Sequence, residues 1–312
     1  MVTDRRELAE KLLKQINSVL IGKEETTRDV AACFFAGGHV LLEDVPGVGK
    51  TTLATALAKS LDCSFGRIQF TPDTLPSDVI GVSIYQMQKQ EFVYQPGVVM
   101  NHVILADEIN RTSPKTQSGL LEAMEEKQVT VDGKIYPLPE PFLVIATENP
   151  IEYVGTYPLP EAQLDRFMMK LSIGYPSKED ELRMASRFLT GEAASEIRPV
   201  MTTEDVLRIR EDAAKVTVSE KVLSYAEEII HATRTTESLA LGASPRAFLQ
   251  LAAAARAEAW LDGRDYVNPD DIKSLAMKVL PHRLVLSSEA RIRRDQASDI
   301  LRTLIGRIRV PV

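Results

Sequence analysis

The sequence predicts an α/β domain with a parallel sheet flanked by helices, followed by a smaller all-α domain. Three observations carry this. Short apolar runs, residues 39–43, 67–70, 102–107 and 142–147, alternate with longer segments of period near 3.6 such as 51–61 and 114–127. The stretch LLEDVPGVGKTTLA, residues 41–54, reads as strand, glycine-rich loop and helix start. After residues 174–180 the strand signals stop and only capped helical patterns follow.

Each element has its own justification. Strand–helix alternation argues for parallel strands with crossover helices, and near-continuous apolar strands fit burial on both faces. In the second part, Ser177 with Asp180 forms a plausible capping box, and Asn268, Pro269 and Asp271 fit the cap, first and third positions of another helix. Ser113 and Pro114 read the same way. The expected division is 1–175 for the α/β part, opening with a helix rich in Leu8, Leu12 and Leu13, and 176–312 for the helical part.

Composition narrows the function. The 312 residues suffice for about two domains with a large core. A net charge of −7 is a poor prior for avid nucleic-acid binding, which draws its affinity from cations on phosphates. Cys33 and Cys63 are far apart with no C-x-x-C pattern, so both are expected to be small buried residues in a reducing cytoplasm, without a zinc site or disulfide. No apolar run has the length of a membrane span, and the first residues lack a signal-peptide core.

Three motifs carry chemistry. A phosphate loop needs converging backbone N–H groups, hence glycines, together with a lysine for charge and a hydroxyl for a metal. Pro46, Gly47, Val48, Gly49, Lys50, Thr51 and Thr52 supply that pattern, although Asp44 stands where G-x-x-x-x-G-K-[ST] has its first glycine. That position lies at the strand end, away from the closest phosphate approach, so a small polar residue is accommodated. The run VILADE then delivers Asp107 and Glu108 to a strand's C-terminal end, where Asp107 is placed to hold Mg²⁺ and Glu108 to polarise a water. Finally LVIATENP ends in Asn149, a candidate to orient that water, though Asn-Pro is also a common turn signal.

Taken together these blocks resemble the MoxR family of AAA+ ATPases over nearly the whole chain, from IGKEETTRDVAACFFAGGHVLLEDVPGVGKT through LADEINRTSPKTQSGLLEAMEEKQVTVDG and IATENPIEYVGTYPLPEAQLDRF to ASPRA and VLPHRLVLS. The resemblance implies that Lys50 and Thr51 are Walker A, Asp107 and Glu108 Walker B, and Asn149 sensor 1. It implies that Arg166 is an arginine finger acting on a neighbouring subunit's ATP, that Arg246 is a sensor 2 bringing the lid onto the γ-phosphate, and that Ile21 and Gly22 belong to the segment covering the adenine. From the residues alone, Arg166 could pair with Asp165 or Glu161 at the surface, and Arg246 could be a helix-start surface charge. Arg111 and Lys115 could reach a neighbour's nucleotide or make a subunit contact.

Two further segments resemble working parts of that family. Residues 77–97 resemble an insertion in the helix after the second strand, and 128–137 a hairpin before sensor 1, with Asp-Gly as its two-residue turn. The resemblance implies ATP and Mg²⁺ as cofactors, a self-oligomer expected to be a hexamer, and chaperone-like remodelling of protein complexes with a client or adaptor protein, such as one that carries a von Willebrand factor A domain. A nucleic-acid-acting motor is the alternative, disfavoured by the acidic balance and by Asp132 and Lys134 cancelling in the hairpin. A scaffold that binds ATP without turnover is disfavoured by the full set of motif residues.

Overall fold

The computed structural model describes residues 2–45, 47–88, 90–149, 156–190 and 196–311. Two helices, α1 (Val2–Val19) and α2 (Glu24–Phe35), precede the sheet. Then come β1 (Val40–Glu43), α3 (Lys50–Ser60), β2 (Phe65–Gln69) and α4 (Pro76–Ile80). A hairpin follows, β3 (Val82–Gln86) with β4 (Glu91–Gln95), leading to β5 (Val103–Asp107) and α5 (Pro114–Glu126). A second hairpin, β6 (Gln128–Val131) with β7 (Lys134–Pro137), precedes β8 (Leu143–Glu148), α6 (Glu161–Leu164) and β9 (Met169–Leu171).

Five of these strands form one parallel sheet in the order β2-β5-β8-β1-β9. Because side chains alternate along a strand, the interior strands β1, β5 and β8 each feed two cores. Val40, Leu42, Val103, Leu105, Leu143 and Ile145 pack with Leu53 and Leu57 of α3 and with α1 and α2. Leu41, Ile104, Ala106, Val144 and Ala146 pack on the other face with Leu120, Leu121 and Met124 of α5. The interior strand β5 is buried throughout. β2 is an edge strand with only Gly66 buried and with Arg67 and Gln69 exposed, so burial on both faces does not extend to it.

Helices then dominate: α7 (Lys178–Leu189), α8 (Thr203–Ala214), α9 (Glu220–Thr235), α10 (Pro245–Leu261), α11 (Pro269–Val279), α12 (Ser288–Ile292) and α13 (Ala297–Arg307). A two-stranded ribbon, β10 (Leu239–Leu241) with β11 (Val285–Leu286), is added to them. Asp271 accepts from the Asn268 N–H at 2.7 Å, and Ser177 accepts from the Asp180 N–H at 3.2 Å, so both caps form.

The helical part packs against α2. Arg28 of α2 meets Glu258 of α10 at 2.7 Å, and Lys278 of α11 meets Asp29 at 2.7 Å. Under these ion pairs the apolar core runs without a break from Phe34 and Phe35 to Leu251, Trp260 and Leu275. The lid therefore rests against α2.

Candidate nucleotide site

The phosphate loop occupies the C-terminal end of β1. Gly47 (φ 87°) and Gly49 (φ 102°) both take backbone angles that a side chain would resist. At Gly49 a Cβ would also collide with Leu20, which ties the turn after α1 to the loop. Directly after Gly49, α3 starts with Lys50, and no acidic residue sits in its first turn, so the free N–H groups and dipole face an anion without competition. Pro46 lies outside the described residues.

Asp44 explains its own departure from the pattern. It is buried, and its carboxylate accepts from Ser172 Oγ at 2.8 Å, from the Ile173 N–H at 2.6 Å and from the Gly174 N–H at 2.9 Å. The side chain thus turns away from the phosphates and fixes the segment that leaves β9 toward the lid. Its carbonyl accepts from Lys50 Nζ at 3.1 Å, which holds the lysine over the loop.

Opposite the loop stand the acids of β5. Asp107 is buried and Glu108 takes the left-handed conformation (φ 56°), an uncommon backbone for a non-glycine residue at a strand end. Thr147 of β8 sits between them: its hydroxyl accepts from the Glu108 N–H at 2.9 Å and donates to Asp107 Oδ1 at 3.4 Å. Edge strand β2 supplies two further groups. Arg67 Nε donates to Asp107 Oδ2 at 2.9 Å, and Gln69 Nε2 donates to Glu108 Oε2 at 2.8 Å. Arg111 Nε lies 3.3 Å from the same oxygen of Glu108. Asn149 follows the end of β8 and is buried.

These side chains enclose a cavity of about 350 Å³ lined by Gly47, Gly49, Lys50, Thr51, Thr52, Arg67, Gln69, Asp107, Glu108 and Thr147. A hydroxyl and a buried carboxylate facing a lysine and a helix N-terminus are the hard oxygen donors and cations that a Mg²⁺–phosphate pair requires. Thr51 and Asp107 are the donors that would hold the metal. Ile21 and Gly22 do not line this cavity; their turn lies beside it, with Gly22 (φ 71°) pressed against the carboxylate of Asp180 in α7. Sequence reasoning missed Arg67, Gln69 and Thr147. The period-2 spacing of Arg67 and Gln69 on an edge strand was the available signal.

The two arginines are elsewhere. Arg166 and Arg246 both pair with Glu125, Arg166 Nη2 lying 3.0 Å from one carboxylate oxygen and Arg246 Nη2 meeting the other. Around them are Gly37, Gly38, His39, Met124 and Gln250. Gly37 to His39 precede β1, whereas the phosphate loop follows it, so the arginines and the loop lie at opposite ends of the strand. Four residues of strand separate these ends by about 13 Å. Helix α5 makes the same journey, since it starts after β5 and its Met124 carbonyl faces His39 Nε2 at 3.3 Å. In this chain Arg246 therefore lies away from its own phosphate loop, with the lid packed against α2, and Arg166 pairs with Glu125 rather than with Asp165 or Glu161.

Comparison with known proteins bears on the family and the fold. The family described as ATPase family associated with various cellular activities (AAA) matches residues 39–169, and the AAA lid domain matches residues 231–304. Protein MoxR of Methylorubrum extorquens is 30% identical over 100% of this chain and 97% of its own length. Chaperone MoxR1 of Mycobacterium tuberculosis is 43% identical over 90% of this chain and 76% of its own length. The chain belongs to the MoxR family of AAA+ ATPases. A Bacillus subtilis relative, the uncharacterized protein YeaC, is 51% identical over 99% of this MoxR-family chain and 97% of its own. A crystal structure from Cytophaga hutchinsonii superimposes with a TM-score of 0.92 at 41% identity, covering 100% of this chain and 97% of that one.

Other expectations meet the structure more simply. Cys33 is buried, whereas Cys63 is only partly covered, and burial pushes its thiol up to about 12. Among the described residues no helix is long and apolar enough to cross a membrane.

Proposed function

We propose that this MoxR-family ATPase hydrolyses Mg-ATP in a ring, where Arg166 and Arg246 of one subunit complete the phosphate site of the next. The single observation behind this is the separation described above: the cavity at the phosphate loop has its lysine, hydroxyl and acids but neither arginine, and both arginines converge on one carboxylate at the far end of β1. Two guanidiniums gripping a single anion can instead grip a transferring phosphoryl group, and only a neighbour's can approach that face.

Within the site, Lys50 and the α3 N-terminus bind the phosphates, and Thr51 and Asp107 hold the metal, which neutralises charge on the phosphate oxygens when bound. Glu108 accepts the proton of the attacking water once Gln69 and Arg111 release it, and Asn149 orients that water. Arg67, on Asp107 Oδ2, stands beside the place where the metal would be held.

The output is remodelling of a partner protein complex, with a hexamer and a von Willebrand factor A adaptor as the family expectation. Support comes from the hairpin β3–β4, which exposes Tyr85 and Phe92 as a contacting pair, with Met87 exposed at the turn and Ile84 exposed on the other face. Such an apolar patch suits a protein client better than a phosphate backbone. A nucleic-acid motor would need cations there, and Lys89 is the one basic residue in the sequence 82–95. The test is phosphate release against protein concentration. A rate per subunit that rises with concentration supports assembly-dependent hydrolysis, whereas a constant rate from a monomer contradicts it.

A further inference from the structure

The two arginines sit on different parts of the chain, Arg166 in the loop before β9 and Arg246 in the first turn of α10. One buried side chain touches both supports. Arg283, in the short 3₁₀ turn Pro281–Arg283 of the lid, is 3% exposed. Its Nη2 donates to the Phe167 carbonyl at 2.7 Å and to the Asp165 carbonyl at 3.2 Å, the two residues that flank Arg166. Its Nε lies 3.0 Å from the Asp165 carboxylate. The same guanidinium donates to Gln250, one turn beyond Arg246 on α10.

A second strut closes the arrangement. Ser244, the N-cap of α10 and two residues before Arg246, donates its hydroxyl to Asp165 at 2.8 and 3.0 Å. His282 faces the Phe167 carbonyl at 3.0 Å. Thus Asp165 is bound from one side by the helix that carries Arg246 and from the other by Arg283. Nη2 shares its two N–H groups among the Phe167, Asp165 and Gln250 oxygens, Nη1 donates to the Val279 carbonyl of the lid, and the charge spread over the planar group lies beside the Asp165 carboxylate, an arrangement a lysine ammonium does not reproduce.

We infer that Arg283 is a positioning residue that locks the Arg166 loop and the Arg246 helix into one rigid unit, so that the lid and the arginine pair reach the neighbouring subunit's phosphate together. The inference rests on the proposed trans reading of the arginine pair. It gives the lid a direct mechanical role: Arg166 stands at the sheet side of the lock and Arg246 at the lid side, so the lid's seat on the Arg166 loop sets how the pair is presented, and the state of one subunit's lid sets hydrolysis in the next. Buried cations unpaired from their partners are costly, so the lock also keeps the lid from drifting off the loop.

The experiment is subunit mixing. Arg283→Met keeps length and removes the fork; Asp165→Asn keeps shape and removes the charge. Each is first checked for cooperative thermal unfolding and for binding of a nonhydrolysable ATP analogue, which should match wild type because the phosphate cavity is untouched. Alone, each should release phosphate about 100-fold more slowly, the loss expected when reacting groups are misplaced by an ångström. Mixed with Lys50→Ala, which binds no ATP but carries intact arginines, each should regain activity, because its own nucleotide now meets a wild-type arginine pair. The control is Arg166→Ala mixed with Lys50→Ala. If the control regains activity and the Arg283→Met and Asp165→Asn mixtures stay silent, the positioning role is wrong. Wild-type rates for the folded variants alone also overturn it. Should the control itself stay silent, the trans reading fails and takes this inference with it. If Arg283→Met does not fold, Asp165→Asn decides the matter.

Discussion

Arg166 and Arg246 are held by the two oxygens of Glu125, a carboxylate at the opposite end of β1 from the phosphate loop. Their shared anion is the reason to treat them as one device. Replacing either with Ala should slow phosphate release by about 10³-fold, the low end for a phosphoryl-stabilising arginine. ATP affinity should stay within about threefold of wild type, because neither side chain lines its own chain's cavity. An Arg246→Ala protein that binds ATP tenfold more weakly, measured by calorimetry, would instead put that arginine on its own nucleotide.

Asp44 invites the substitution that restores the standard loop pattern. Asp44→Gly should nevertheless destabilise the protein by about 3 kcal/mol, since the buried N–H of Ile173 and the other donors lose a charged acceptor. Urea unfolding checks this. An equally stable or stabilised glycine variant would show that the carboxylate contributes nothing net to the segment leaving β9.

His39 gives a pH signature. Its Nδ1 accepts from the Val144 N–H at 3.0 Å, so the ring is neutral with its hydrogen toward Met124. Burial pulls its pKa from 6.5 down to about 4, with Arg210 and Lys127 adding to the effect and the Met124 carbonyl opposing it. Between these values the unfolded chain takes up a proton that the folded one refuses. The stability this group contributes is therefore present above pH 6.5 and is lost as pH falls toward 4. Asp29, raised to about 6 by burial, has the opposite sign, and comparison with His39→Gln cancels it. Between pH 7 and 5 wild type should lose roughly 2 kcal/mol more than His39→Gln. Parallel losses in the two proteins would contradict the assignment.

The two hairpins are joined by a stack of Tyr94 on Tyr136, ring centroids 4.0 Å apart, so motion of one is passed to the other. The exposed pair Tyr85 and Phe92 stands out on β3–β4. In a Glu108→Gln background, which should hold ATP without turnover, Phe92→Ser should lose the co-purifying protein client while nucleotide content is unchanged. Retention of the same client by Phe92→Ser would remove this hairpin from client contact.

Much of this was legible in the sequence, and the omissions have physical reasons. Three strands of the sheet, β1, β5 and β8, declared themselves because each is a buried apolar run, and β2 showed as a short run despite its exposed Arg67 and Gln69. The fifth, Met169–Leu171, is too short for periodicity to register. The ribbon of Leu239–Leu241 with Val285–Leu286 escaped for the same reason. Residues 77–97 resembled an insertion in the helix after the second strand; that it is a hairpin was not legible, because many of its apolar side chains face outward and no core burial disciplines its pattern. The phosphate loop and the acids of β5 were legible because their spacing is fixed by local backbone geometry. The place of Arg246 was not, because it depends on where the lid packs, and that is decided by contacts such as Lys278 with Asp29 that are 249 residues apart.

The central claim is that one subunit's arginines serve the next subunit's ATP. The most direct measurement mixes Arg166→Ala with Lys50→Ala at equal concentration and follows phosphate release. Each alone should be silent, the first for want of a neighbour's arginine and the second for want of ATP. The account predicts that the mixture hydrolyses ATP, through interfaces where an intact arginine faces an occupied site. A mixture as silent as its components, with co-assembly shown by cross-linking, would contradict it.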